Sequence, residues 1–352
     1  MMDGEVTGVR TVGIVGLGLI GGSLALRLIR AGIEVHAWNH TDRPYAAARA
    51  AGIRCEPGLR QLAQLRPDLI VLCNPLRAMP QVLEAVGPFV DERATTLSDV
   101  GSVKGQVRKQ VREAGLAGCY VGAHPMAGNE LSGFGAADPG LLDNALWAVD
   151  VDSQTDYGRF LAVSSMITNG LGNRMIVLDD RTHDRAAAMI SHMPHAVATC
   201  LINMLCDDPD RNVAAALAAG SWRDMTRVAL TDPDRTRAMI EEDDANVAAL
   251  LHDLAGRLTR LADDLQRSDG DALADFFSRG QDFRDFKRRV GHSGAGGGSR
   301  SAGPGDESPR EADMRLDPLT WRDDLLLSAR RGENIISFIS PRHVRIRTNN
   351  AM

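Results

Sequence analysis

A chain of 352 residues with 44% apolar side chains is long enough for two ordinary domains and has a globular composition. Its formal net charge of −6 gives no overall basic field for nucleic acid or an anionic membrane, so an anionic substrate needs locally placed arginines. The five cysteines are odd in number and include no CxxC pair, which fits a reducing compartment and offers no metal-ligand spacing.

The first ten residues carry Asp3, Glu5 and Arg10 in place of a basic leader, and glycines interrupt the apolar run that starts at Val12. A soluble cytoplasmic protein is expected. From Thr11 to Ser23 the chain reads TVGIVGLGLIGGS, a short strand that turns through Gly16, Leu17, Gly18, Leu19, Ile20 and Gly21 into a helix ending near Ala31. A strand that ends in glycines and opens a helix makes a phosphate cradle. The first glycine allows the tight turn, the second lets a pyrophosphate approach the backbone, and the third lets helix pack on strand. A second strand, Glu34–Asn39, follows Gly32. This pattern reads as a dinucleotide-binding unit; a turn serving only packing is the alternative.

The alternation continues. Asp68–Asn74 is a near-continuous apolar run of the kind a doubly covered strand shows, and 77–86 reads as a helix. Ala94–Asp99 is the next strand, followed by a helix to Ala114. Cys119–Ala123 and Ala145–Asp150 complete the series. Strands separated by helices imply an α/β Rossmann-type doubly wound parallel sheet with its ligand at the carboxyl ends of the strands. That domain is expected over 9–152. An all-α substrate and dimerisation domain is expected over 153–290, from helical spacing in Asp180–Cys206, 212–230 and Pro233–Leu265. Asp232-Pro233 has the form of a capped helix start. Residues 291–312, rich in Gly, Ser, Pro and charge, read as a flexible linker. Residues 313–352 read as a short α/β tail, with strands at 314–316, 334–340 and 343–348 around a helix at 319–331.

The candidate chemistry lies in the loops and the helical half. A single histidine, His124, stands at a strand end, and Ser102 has the position of an N-cap. In order, GLGLIGGS, DVGSVKG, HPMAGNELSGF, SHMPHAVA and AAGSWRDMTRVALTDP resemble the prephenate/arogenate dehydrogenase (TyrA) family of tyrosine biosynthesis. The resemblance spans roughly Val9 to Leu265 and is nearest to a bacterial branch with a C-terminal extension. It implies oxidative decarboxylation of prephenate, or of arogenate to give tyrosine directly, with NAD or NADP in a homodimer joined through the helical domain.

By that resemblance His124 accepts the ring C4 hydroxyl proton, as a neutral imidazole can near neutral pH. Ser102 contacts the same hydroxyl and orients the nicotinamide. Arg227 binds a substrate carboxylate, as a guanidinium fork suits. His195, Asp224 and Gly220 line the substrate side, while His192 is read as structural and Lys104 as serving helix packing or the cofactor's surroundings. Spaced i, i+3 on a helix, Asp224 and Arg227 could instead form a salt bridge. At the cofactor end the chain departs from the NAD-specific pattern. Asn39 replaces the acidic residue that accepts from the ribose, with His40 and Arg43 beside it to meet a 2′-phosphate. NADP is therefore expected to be tolerated or preferred.

Two other readings remain open. A β-hydroxyacid or imine-type dehydrogenase shares the plan but usually relies on a lysine in the helical half. A non-catalytic NAD(P)-sensing module would have scattered site residues.

Overall fold

From residue 11 to residue 113 strand and helix alternate. The elements are β1 (Thr11–Val15), α1 (Leu19–Arg30), β2 (Glu34–Trp38), α2 (Tyr45–Ala50), β3 (Arg54–Cys55), α3 (Leu59–Gln64), β4 (Leu69–Leu72), α4 (Met79–Val86), β5 (Thr96–Asp99) and α5 (Lys104–Glu113). The structure is a computed structural model that describes residues 8–294 and 310–348. All five strands run parallel in the order β3-β2-β1-β4-β5. Both central strands are almost wholly buried, which explains their unbroken apolar sequence. Helices cover both faces. One apolar cluster gathers around Leu24, Leu28, Val35 and Val71, the other around Leu62, Leu83, Val107 and Val111. The Rossmann-type expectation holds for this sheet.

The later strands do not extend it. β6 (Gly122–Pro125) and β7 (Leu146–Asp150) pair antiparallel, and after α6 (Tyr157–Ser165) the strand β8 (Arg174–Leu178) pairs parallel with β7 in a second, mixed sheet. A bridge from Leu97 to Tyr120 links the two sheets. Between β6 and β7 lie two 3-10 turns, Phe134–Ala136 and Pro139–Leu142, and no α-helix, so the chain doubles back without a crossover. β6 begins later than the expected Cys119–Ala123 because Ala117–Cys119 forms a 3-10 turn, which places His124 inside the strand. β8 continues the sheet past residue 152, where the sequence reading ended the first domain. Its alternating burial and β-branched residues were a usable strand signal.

The helical half begins with α7 (Asp180–Ala187), a π-helical turn (Ala188–His192) and α8 (Met193–Asp207). It continues through α9 (Arg211–Leu217), α10 (Gly220–Thr226), α11 (Pro233–Glu241), α12 (Asp244–Arg267), α13 (Gly270–Ser278) and α14 (Gln281–Gly294). Asp232 caps α11 as expected, accepting from the Arg235 N–H at 2.9 Å ahead of Pro233. The run from Asp180 to Asp207 is long and apolar enough to cross a membrane by length and composition. Its first six residues nonetheless include Asp180, Arg181, His183, Asp184 and Arg185, with His183 and Asp184 buried against the first domain. Large apolar side chains, among them Met204, Leu217, Leu258, Leu265 and Phe277, remain exposed on this half of a single chain.

The tail contains β9 (Arg310–Arg315), α15 (Trp321–Arg330), β10 (Glu333–Ser340) and β11 (His343–Thr348). It extends the second sheet to the order β6-β7-β8-β10-β11-β9, with Ile335 of β10 opposite Met175 of β8. The Trp321 ring lies 4.5 Å from Phe160 and 4.9 Å from Tyr157. The tail thus completes the core of the first half. The linker expected over 291–312 is shorter at both ends, since 291–294 continue α14 and 310–312 belong to β9; its residues 295–309 lie outside the described residues.

Candidate active site

The glycine turn has the form a pyrophosphate requires. Gly16 has φ +102°, and a Cβ there would meet the Cys73 carbonyl oxygen at 2.9 Å. A Cβ on Gly21 would lie 2.0 Å from the Gly16 carbonyl oxygen, so helix and strand could not approach. Beside Gly18, by contrast, there is open space. Leu17 and Leu19 are buried under the turn and Ile20 is half-buried. At the end of β4 the side-chain oxygen of Asn74 is buried without a partner. The glycine turn opening α1, room at Gly18 and an unsatisfied acceptor fit a dinucleotide.

Asn39, just beyond β2, is half-buried, and its Oδ1 accepts from the Leu17 N–H at 2.9 Å. Its Nδ2 donates to the Thr41 carbonyl at 3.0 Å. The amide therefore ties the loop after β2 to the glycine turn. His40 and Arg43 are exposed beside it, the basic side chains of the segment 39–45.

His124, half-buried on β6, places Nδ1 3.0 Å from Nε2 of His183 on α7. Nδ1 of His183 lies 2.8 Å from Asp184 Oδ1. The Asp184 carboxylate in turn accepts from the N–H groups of Lys104 at 2.7 Å and Gly105 at 2.8 Å, the first two residues of α5. It is the cap of that helix, supplied from another domain, and Ser102 is not. Burial opposes ionisation of Asp184, but hydrogen bonds from His183 and from these two amides outweigh it and hold the carboxyl below its usual range.

An ionised carboxylate only accepts, so Nδ1 of His183 carries the proton. With His183 neutral, its Nε2 accepts from the Nδ1–H of His124. Nε2 of His124 is left with its lone pair. Burial pushes the His124 pKa well below its ordinary value, and the neighbouring Lys104, with the His183 and His192 rings, opposes a positive charge there. A neutral acceptor results.

In the helical half His195 is half-buried, its Nδ1 2.9 Å from the Ser191 carbonyl, which leaves Nε2 available. His192 is buried and paired with Asp243 at 2.9 Å. α8 packs against α10 and the 3-10 turn Arg227–Leu230. Gly220 opens α10; Asp224 and Arg227 are exposed on it and on the following turn. Among the described residues no ion pair joins Asp224 to Arg227, so the salt-bridge alternative is not realised. Neither residue makes a hydrogen bond to the His124 cluster. Arg235 of α11 reaches back to the loop after β6, donating to the carbonyls of Asn129 and Leu131, each at 2.9 Å.

His183 and Asp184 were not among the expected site residues. In sequence they are two of several polar residues at a helix start, Asp179-Asp180-Arg181-Thr182-His183-Asp184, and nothing local points them at residue 124.

Comparison with known proteins accords with this geometry. Residues 24–177 match the family described as "Prephenate dehydrogenase, nucleotide-binding domain", and residues 179–279 match "Prephenate dehydrogenase, dimerization domain". The prephenate dehydrogenase of Lactococcus lactis is 28% identical over 277 residues, covering 77% of this chain and 75% of its own. The crystal structure of the A. aeolicus prephenate dehydrogenase, in complex with hydroxyphenyl propionate and NAD+, is 25% identical with TM-score 0.72, covering 80% of this chain and 98% of that one. Synechocystis arogenate dehydrogenase is 26% identical with TM-score 0.69, covering 78% and 99%. With two consecutive domain matches over most of its length, this chain belongs to the prephenate dehydrogenase family.

Proposed function

We propose that the enzyme converts prephenate to 4-hydroxyphenylpyruvate and CO2 with NAD(P)+, in tyrosine biosynthesis. The observation that carries this reading is the directed chain from Asp184 through His183 to His124, which ends on a neutral ring nitrogen. Oxidised nicotinamide, when bound, accepts hydride from ring C4. His124 Nε2 takes the C4 hydroxyl proton as that carbon becomes a carbonyl. Loss of the C1 carboxylate as CO2 leaves its electron pair in the ring, which becomes aromatic as the C4 oxygen takes back the proton from His124.

The remaining roles follow the same reading. Ser102, relieved of helix capping by Asp184, contacts the hydroxyl and orients the nicotinamide. Arg227 binds a substrate carboxylate, and His195, Asp224 and Gly220 line the substrate side. The turn from Gly16 to Gly21 holds the pyrophosphate, while Asn39, His40 and Arg43 meet the adenosine ribose and admit a 2′-phosphate. The exposed apolar surface of α8–α13 is buried in a homodimer, and the five free cysteines suit the cytoplasm.

Arogenate is the second reading, supported by the likeness to the Synechocystis enzyme. Initial rates with prephenate and arogenate, each with NAD+ and NADP+, test both. Turnover of neither substrate with either cofactor overturns the proposal.

A further inference from the structure

Lys104 and Asp99 form an ion pair in which both side chains are 0% exposed, with Nζ 2.5 Å from Asp99 Oδ2. Removing two charges from water costs about as much as their attraction returns, so such a pair is a poor device for stability alone. Both partners also hold the peptide groups of Ala123. The lysine Nζ donates to the Ala123 carbonyl at 2.7 Å, and the Ala123 N–H donates to Asp99 Oδ1 at 3.4 Å. Tyr120 O–H and Gly101 N–H complete the shell of Asp99, each at 2.8 Å. The backbone N–H of Lys104 meanwhile holds Asp184 at 2.7 Å. A single residue thus touches the main chain immediately before His124 and the carboxylate at the far end of the hydrogen-bond chain that reaches its ring.

We propose that the buried Asp99–Lys104 pair is the positioning device for His124, fixing its main chain through Ala123 and its ring through Asp184 and His183. The inference rests on His124 being the proton acceptor. Lys104 is a positioning residue, since it acts through its neighbours. The groups that face His124 are His183 from α7, His192 from the π-helical turn and Lys104 from α5, with Asp99 and Asp184 paired behind them. A cation held in this place opposes protonation of the imidazole.

Lys104→Met keeps the side-chain length without the charge, and Asp99→Asn keeps the shape without the charge. Both are measured beside His124→Asn for kcat, KM and the pH profile of kcat/KM, with cofactor dissociation constants to establish that the parallel sheet is intact. Lys104→Met is expected to lower kcat on the order of 10²-fold, leave cofactor affinity unchanged and move the acid limb of kcat/KM to higher pH. Asp99→Asn leaves the cation unopposed and is expected to move that limb to lower pH. If Lys104→Met does not fold, the direction seen in Asp99→Asn supports or overturns the role by itself. Unmoved acid limbs, or losses of kcat without the opposite displacements, overturn it. Turnover retained by His124→Asn overturns instead the reading of His124 on which the inference stands.

Discussion

His124 and His183 meet with Nδ1 and Nε2 3.0 Å apart although 59 positions separate them and they belong to different domains. The contact makes the protonation of one ring depend on a helix N-terminus that neither ring touches. Asp184 is held ionised by α5, and its negative charge sets the tautomer of His183, which sets that of His124.

A His183→Gln enzyme is accordingly expected to lose kcat on the order of 10²-fold, because the lone pair at His124 Nε2 is no longer enforced. Its cofactor dissociation constant should match that of the wild type. Equal losses in both quantities would point to a folding defect.

The lowered pKa of His124 fixes the sign of the pH response. The residue is neutral through the physiological range, so kcat/KM is expected to be flat there and to fall only on the acid side, well below the usual imidazole range. Stability follows the same direction. As pH falls below about 6.5 the unfolded chain takes the proton first, so the stability present at neutral pH is lost toward the folded pKa. Urea midpoints of wild type and His124→Asn across this window isolate the contribution, and His124→Asn should show the shallower loss.

Asn39→Asp is expected to favour NAD over NADP. The added charge repels a 2′-phosphate, and a loss of about 1.4 kcal/mol corresponds to about tenfold in the NADP/NAD ratio of kcat/KM. The wild-type ratio itself should be near or above one. A ratio far below one in the wild type would refute the role given to Asn39, His40 and Arg43.

Arg227, exposed and without an ion pair to Asp224, is free to meet a carboxylate. Arg227→Ala removes a charged hydrogen bond of about 1.5–3 kcal/mol and is expected to raise substrate KM roughly tenfold to hundredfold, with kcat largely kept. Steady-state kinetics at saturating cofactor read this directly, and an unchanged KM removes Arg227 from the substrate site.

The tail is expected to be part of the first domain's stability. Trp321, 2% exposed and packed at a tilt against Phe160 and Tyr157, is replaced by a cavity in Trp321→Ala. The loss is about 3–5 kcal/mol by analogy with other large core truncations, and thermal unfolding with limited proteolysis after residue 310 should show it. Unchanged stability would mean the tail docks independently of this cluster.

Local pattern was sufficient for much of the molecule. The run from Thr11 to Gly21, the buried strands β1 and β4, the Asp232 cap and the tail strands β10 and β11 are read from the sequence, because turn chemistry, doubly buried strands and caps depend on near neighbours. His124 was singled out by its motif for the same reason. Sheet membership was decided only by tertiary structure. β6 and β7 carry strand patterns that do not specify direction, and it is the absence of a crossover helix between them that sends the chain back antiparallel. Likewise nothing near Asp184 announces that it caps a helix starting 80 residues earlier, nor that Lys104 and Asp99 grip the peptide before His124. A carboxylate's partner is set by which N–H groups the packed domains bring to it, and that is a property of the fold.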